Sequence, residues 1–476
     1  MFQGNPRNGP HSSSLNNLKK LALGIFASLK LVSGLLAQAS GPQVTANLEA
    51  LAKAALAQHN GALTVVGLDH PVEVLRDRWG IPHIYAQDTH DLFFAQGFVA
   101  AQDHMWQMEL WRRNGEGKLA EVLGPAYVER DEFARLLAFR GNWDVEFHKY
   151  HSEGPVIFEA FAAGVNEAIR VAREQDRIPI EFKLMGFEPE AVWTAKTVLT
   201  RMPAWNLSYN ANAELTRALA VKVMGVERTQ QVTVTDPVKP IVIPEGLDLN
   251  DITPRILDIA RNANFVAWKF KPIMGSSSEA PAAQATGMEG MGLLADMDAA
   301  PEFPPNFNFD LGSNNWVVGG RKTATGMPIL ANDPHRDVRN PALRNLVHLV
   351  APGWDDLGAT EPGMPGITIG HNENVAWGFT ILGVDQQDLY VEETDPSNPD
   401  RYLYKGEWFD MTLDRESIPV KGRQSGPVIF EAKTTRHGPV VYEDHIRHRA
   451  YALRWVGSEP GGTGYLGSLN VMQAKN

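Results

Sequence analysis

Ser313 follows Gly312 at the mouth of a strand-like run, in Leu311-Gly312-Ser313-Asn314-Asn315-Trp316-Val317-Val318. Cleavage of the Gly312-Ser313 peptide bond would leave a hydroxyl and an α-amine on one residue. An α-amine has an unperturbed pKa of about 7.7 to 8.0, so near neutrality a useful fraction of it is an unprotonated base. Such a serine needs no distant histidine, and N-terminal nucleophiles activated by their own amine are one convergent solution to acyl transfer. Gly312 suits the cleavage step, because a residue without a side chain can adopt the strained backbone that brings the hydroxyl to the preceding carbonyl. By itself the dipeptide reads as an ordinary turn before a strand.

Other residues offer chemistry of lower specificity. His335, in Asn332-Asp333-Pro334-His335, can orient an amine or share its proton, or serve as a hydrogen-bonded loop residue. Asp385 and Asp388, in Gly383-Val384-Asp385-Gln386-Gln387-Asp388, supply the oxygen ligands that suit a hard divalent cation, although Asp-x-x-Asp occurs in many turns. Glu214 reads as a solvated helix residue and Ile381 as core.

The surroundings of Ser313 add specificity. Its own hexapeptide, then Lys322-Thr323-Ala324-Thr325-Gly326, the Asn332 to His335 run, Gly363-Met364-Pro365-Gly366, Gly370-His371-Asn372 and Ala376-Trp377-Gly378-Phe379-Thr380 closely resemble the penicillin acylase family of N-terminal-nucleophile (Ntn) amidohydrolases. Upstream, Arg76-Asp77-Arg78-Trp79-Gly80-Ile81-Pro82-His83-Ile84 and Gln107-Met108-Glu109-Leu110-Trp111-Arg112-Arg113 resemble the family's small subunit, so the resemblance spans roughly residues 65 to 476. It implies a precursor that cleaves itself between Gly312 and Ser313 and hydrolyses a linear amide joining an acyl group to a small amine. β-Lactam side chains, N-acyl-homoserine lactones and acyl peptides are the candidate substrates.

The same resemblance places His335 close to the nucleophile and the backbone N–H of Ile381 in the oxyanion hole, where any side chain is tolerated. It groups Glu214, Asp385, Asp388 and the carbonyl of Gln387 around a structural calcium that joins the two subunits. It puts Ala204, Ser208, Arg336 and Ile369 at the acyl pocket. An arginine and small residues stand there instead of bulky apolar ones, which puts a phenylacetyl-type pocket in doubt and opens a longer aliphatic or polar acyl group. The family's second oxyanion donor, an asparagine, and its supporting arginine would lie past residue 476. The expectation is a truncated large subunit, inactive as written; an exported, calcium-stabilised binding protein is the competing class.

Composition narrows the partners. With 44 basic against 56 acidic side chains the net charge is −12, and no long basic run is present, which argues against nucleic acid. The absence of cysteine removes disulfides, thiolate nucleophiles and zinc-thiolate sites. No Gly-rich phosphate loop lies between a strand and a helix.

The elements that must position these groups follow in order. Residues 1–40 carry Lys19-Lys20, the apolar run Leu21 to Leu36 and Ala37-Gln38-Ala39, the pattern of a secretory signal, with too few continuous apolar residues for a membrane span. The expected location is periplasmic or secreted. Residues 41–273 would form the small subunit, 274–312 a Ser-, Ala-, Gly-, Met- and Pro-rich spacer, and 313–476 the first part of the large subunit. Helices are expected at 44–58, at 88 to about 113 with Asp88 or Thr89 as cap, at 155–173, at 195–224 with a break near Pro203, and at 252–261. Glu109 and Arg112 read as a surface pair on the second of these. Strands are expected at 64–66, within 72–84 and 230–243, and in ten runs after Ser313, among them 401–408. Periodicity thus yields α and β with a β-rich second half, and the resemblance implies an α+β fold, the αββα four-layer sandwich.

Overall fold

The computed structural model describes residues 42–205, 208, 210–233, 238–264, 313–335, 340–381 and 384–476. The expected signal at 1–40, the spacer at 274–312 with Gly312, and Arg336 lie outside these. The fold is α+β, with helices concentrated before residue 265 and strands after residue 312.

Helix α1 spans Pro42–Ala54, and α2, Thr89–Glu116, follows strands β1 (Glu73–Arg76) and β2 (Pro82–Tyr85). Asp88 caps α2 by accepting from Asp91 N–H, and Gly117 closes it in the left-handed conformation at φ 64°. Helix α3, Gly154–Glu174, packs along α2. The two backbones approach closely because a glycine on each faces the other: a Cβ on Gly97 would sit 2.1 Å from Phe161 O, and one on Gly164 would sit 1.9 Å from Phe94 O. Phe93, Phe94, Phe158 and Phe161 fill the seam.

The expected surface pair Glu109 and Arg112 is instead buried, at 2% and 1% exposure. Arg112 donates to Glu109 (3.0 and 2.7 Å), Glu116 (2.8 Å) and Glu190 (2.9 Å), and Arg113 reaches Glu109 (2.7 Å), Glu121 and Glu190. Helical spacing brings the first pair together; carboxylates arriving from 116, 121 and 190 let the cluster be buried. Although burial works in the opposite direction, Arg113 and Arg112 hold Glu190 below the usual carboxylate range.

Helix α4, Asn210–Val232, runs further than expected and takes up the start of the segment read as strand; residues 238–243 form no strand, consistent with Pro240 and Pro244 lacking the N–H a ladder needs. Residues 64–66 are likewise irregular, with Val66 N–H donating to Glu167.

The strands after Ser313 are β3 (Ser313–Val318), β4 (Ile329–Pro334), β5 (Asn345–Ala351), β6 (Trp354–Thr360), β7 (Ile369–His371), β8 (Ala376–Trp377), β9 (Gln387–Asp395), β10 (Asn398–Tyr404), β11 (Glu407–Asp410), β12 (Thr412–Ile418), β13 (Val428–Thr435), β14 (Gly438–Asp444) and β15 (Arg449–Trp455). The run 401–408 is two strands, divided where Lys405 and Gly406 take φ 52° and 86°. β6 and β12 escape the periodic reading, since Asp355, Asp356 and Gly358 in one and the charged run Asp414-Arg415-Glu416 in the other are poor strand signals.

These strands build a seven-stranded antiparallel sheet (β11-β10-β9-β15-β14-β13-β12), a hairpin (β3-β4) and a six-stranded sheet (β1-β2-β5-β6-β7-β8). The last is mixed: β2 pairs in parallel with β5 and thereby joins the first half of the chain to the second.

Candidate active site

Ser313 is the first residue of β3 and lies opposite Pro334, the last of β4. Proline brings no N–H to this rung, so the ladder ends at the serine. The hairpin is thinly covered among the described residues, with Trp316, Val317 and Ile329 at least half exposed. What fixes it is Asn332. This side chain donates to Asn314 O (2.8 Å) and to Phe379 O (3.0 Å), while its Oδ1 accepts from Phe379 N–H (2.8 Å). One amide thus pairs with both backbone groups of Phe379, as a strand neighbour would. Gly378 must be bare here, because an added Cβ would lie 2.6 Å from Asn332 Oδ1 and 2.7 Å from Asn315 Nδ2.

The clamp draws the segment 378–381 to the strand that begins at Ser313. Strand β8 feeds that segment, anchored by buried Trp377 through Nε1 to Ile367 O (3.2 Å). Ile381 lies two residues past the clamped Phe379, with its side chain 36% exposed rather than in the core. His335 follows β4, and its Nε2 is 3.1 Å from Asn314 Nδ2 and 3.1 Å from Asp333 Oδ2. That nitrogen donates to the carboxylate when it carries a proton and accepts from the amide when it does not.

A second group assembles across the sequence. Carboxylate oxygens of Glu214 on α4, Asp385, and Asp388 on β9 lie within 4.8 Å of one another. Asn210 at the start of α4 organises them: its Nδ2 reaches Asp385 Oδ1 (2.8 Å) and Gln387 O (2.5 Å), and its Oδ1 accepts from Gln386 N–H (3.0 Å). Gln387 Oε1 accepts from Ala211 N–H (3.1 Å). Burial, opposed by the Asn210 hydrogen bond and reinforced by Asp385 and Asp388, pushes Glu214 up to about 7. An all-oxygen set of three carboxylates with a carbonyl that keeps a second lone pair fits a hard divalent cation.

With this geometry in place, comparison with known proteins is informative. The family model described as Penicillin amidase matches residues 71–476. The chain belongs to the penicillin amidase family. It is 33% identical over 409 residues to penicillin acylase 2 proenzyme of Pseudomonas sp. strain SE83, covering 85% of this chain and 48% of that protein. It is 26% identical to the acyl-homoserine lactone acylase QuiP of Pseudomonas aeruginosa (80% of this chain, 41% of that protein). It is 29% identical to penicillin G acylase of Escherichia coli (85% and 50%). The chain spans about half the length of these relatives.

For this family member, three of the residues expected at an acyl pocket, Ala204, Ser208 and Ile369, lie among the described residues. Ala204 and Ser208 are buried, and the Ser208 hydroxyl is engaged with Ala204 O (3.1 Å), Gln386 Oε1 (2.7 Å) and Trp455 Nε1 (3.0 Å). Ile369 lies in β7, paired with Ala359. A small cleft between Trp111, Trp193, Pro203, Gly363 and Met364 touches none of these three. Among residues that matter for positioning, Asn332 stood inside a recognised motif without an assigned role, and Asn210 carried no sequence signal beyond four-residue spacing to Glu214. No helix among the described residues is long and apolar enough to cross a membrane.

Proposed function

We propose that the protein is an exported amidohydrolase precursor that cleaves itself between Gly312 and Ser313 and then hydrolyses linear amides of N-acylated small molecules. The observation that carries this reading is the Asn332 clamp, which ties the strand headed by Ser313 to the segment leading into Ile381. In maturation, Ser313 Oγ attacks the Gly312 carbonyl as its proton passes to the Ser313 nitrogen, the C–N bond breaks to free the α-amine and leave an ester, and water hydrolyses that ester to the Ser313 hydroxyl and a Gly312 carboxylate. In turnover that amine takes the hydroxyl proton as Oγ attacks the substrate carbonyl, and the Ile381 N–H donates to the developing oxyanion. The leaving amine takes the proton, and water releases the acyl group. His335, held by Asp333 and Asn314, is a positioning group at the rim of this site. The names of the relatives support acylated β-lactams and acyl-homoserine lactones as the first substrates to try.

Calcium fits the cluster of Glu214, Asp385, Asp388 and the Gln387 carbonyl. When bound, it supplies charge neutralisation and joins α4, before the proposed cleavage site, to β9 after it. The test is hydrolysis of a panel of N-acyl amides by the protein from its complete reading frame and by Ser313→Ala. Loss of all hydrolysis in the variant supports the reading, and retention of activity contradicts it. A strong preference for phenylacetyl amides would overturn the expectation of a longer aliphatic or polar acyl group.

A further inference from the structure

Away from Ser313, the parallel register of β2 and β5 sets His83 opposite His348. Parallel partners share a face, and the two imidazoles turn Nδ1 toward Nδ1 at 2.9 Å. Both side chains are partly exposed, at 28% and 20%. The outer nitrogen of each ring faces a carboxylate: His348 Nε2 is 2.9 Å from Asp355 Oδ1, and His83 Nε2 is 3.9 Å from Asp77 Oδ2.

Proton accounting defines what faces the gap. A carboxylate only accepts, so His348 Nε2 carries the proton, and the neutral ring then presents a bare lone pair at Nδ1. His83 Nδ1–H donates to it. His83 can expose a second lone pair by moving that proton to Nε2, beside Asp77 Oδ2. Asp77 Oδ1 is already held by the N–H groups of Trp79 (2.8 Å) and Ile81 (3.0 Å), which fixes the carboxylate in that orientation.

We propose that His83 and His348 form a two-histidine site for a late divalent transition-metal ion of the nickel or copper class, bridging the two halves of the chain. At metal–nitrogen bonds of about 2.0 to 2.1 Å, two cis ligands of a square or octahedral ion stand about 2.8 to 3.0 Å apart, whereas tetrahedral zinc asks for about 3.3 Å. The free rings already stand 2.9 Å apart in an N–H···N hydrogen bond, so both nitrogens lie within the span of one ion without backbone movement. Asp355 and Asp77 take the place of the carboxylates that orient metal-binding imidazoles from behind, and water fills the remaining positions on the exposed side. Binding shifts one proton from Nδ1 to Nε2 of His83 and releases none from the neutral pair. This site is independent of the amidohydrolase reading and shares no residue with the Glu214 cluster.

The experiment is nickel titration of the full, tag-free protein in excess calcium, with copper electron paramagnetic resonance on the same sample. One nickel ion per chain is expected at this site, with at least a tenfold loss of affinity in His83→Gln or His348→Gln and a loss of about tenfold in Asp355→Asn. The copper spectrum of the unaltered protein should show two imidazole nitrogens, which tests the site even if a variant fails to fold. Nickel affinity unchanged in both glutamine variants, or a copper spectrum without a two-nitrogen set, overturns the proposal.

Discussion

The α2–α3 seam and the β3–β4 hairpin are held by opposite means. In the seam, aromatic side chains and two bare glycines bring backbones into contact, and further along α2 even charged groups such as Glu109 and Arg112 are enclosed with their partners. In the hairpin, apolar residues are left exposed and one asparagine fixes the strand against residues 378–379. Burial tolerates few substitutions but does not select a single angstrom-scale orientation of a reactive group; directional hydrogen bonds do. The contrast therefore separates what makes the chain fold from what aims Ser313, and each half can be perturbed without the other.

The largest effects are expected in the enclosed part of α2 and in its seam with α3. Arg112→Ala leaves the buried carboxylate of Glu109 with Arg113 alone and should cost about 3 to 5 kcal/mol in urea unfolding. Gly164→Ala forces backbone movement against Phe94 O and should cost about 1 to 3 kcal/mol or more. Comparable losses from exposed hairpin substitutions such as Val317→Thr would break the comparison.

At the hairpin, Asn332→Ala should cost about 1 to 3 kcal/mol locally while global unfolding changes little. Hydrogen exchange at the Phe379 amide should accelerate, and processing at Ser313 should slow. Gly378→Ala should act the same way through its clash with Asn332 and Asn315. If either variant matures at the normal rate, Asn332 does not position the site.

A smaller effect concerns the Glu214 cluster. Because its folded pKa is raised from 4.5 to about 7, Glu214 binds its proton more tightly in the folded state. Its ionisation therefore costs nothing below about pH 4 and lowers stability progressively as pH rises toward about 7. Asp131 and Asp356, both pushed up to about 7 chiefly by burial, add to that fall but lie outside the cluster. The difference in Tm between calcium and chelator should accordingly widen from pH 5 to pH 8 and vanish in Glu214→Gln. A calcium effect independent of pH, or one that survives in the variant, would remove the cluster as the calcium site.

Much of this fold is legible in the amino-acid sequence. Helices α2 and α3 announce themselves by apolar spacing and by Asp88, and the strand-rich half follows from β-branched runs. The burial of Glu109 and Arg112 was not readable, because i,i+3 spacing is the same on a surface as in a core; only the arrival of Glu190 decides it. The parallel pairing of β2 with β5 depends on contacts across most of the chain, which no local pattern encodes. At the site, Ser313 and the proposed Glu214, Asp385 and Asp388 set follow from the family resemblance, while Asn332 and Asn210 do not. An asparagine that bonds backbone at a distance looks, in sequence, like one that bonds its own turn.

The central claim is that Ser313 becomes a new N-terminus by the action of its own side chain. Intact mass and N-terminal sequencing of the protein expressed from its complete reading frame, beside Ser313→Ala, test it directly. The account predicts two polypeptides, one beginning at Ser313, in the first sample and a single uncut polypeptide in the variant. A single uncut chain in both samples, or cleavage that persists in the variant, would contradict it.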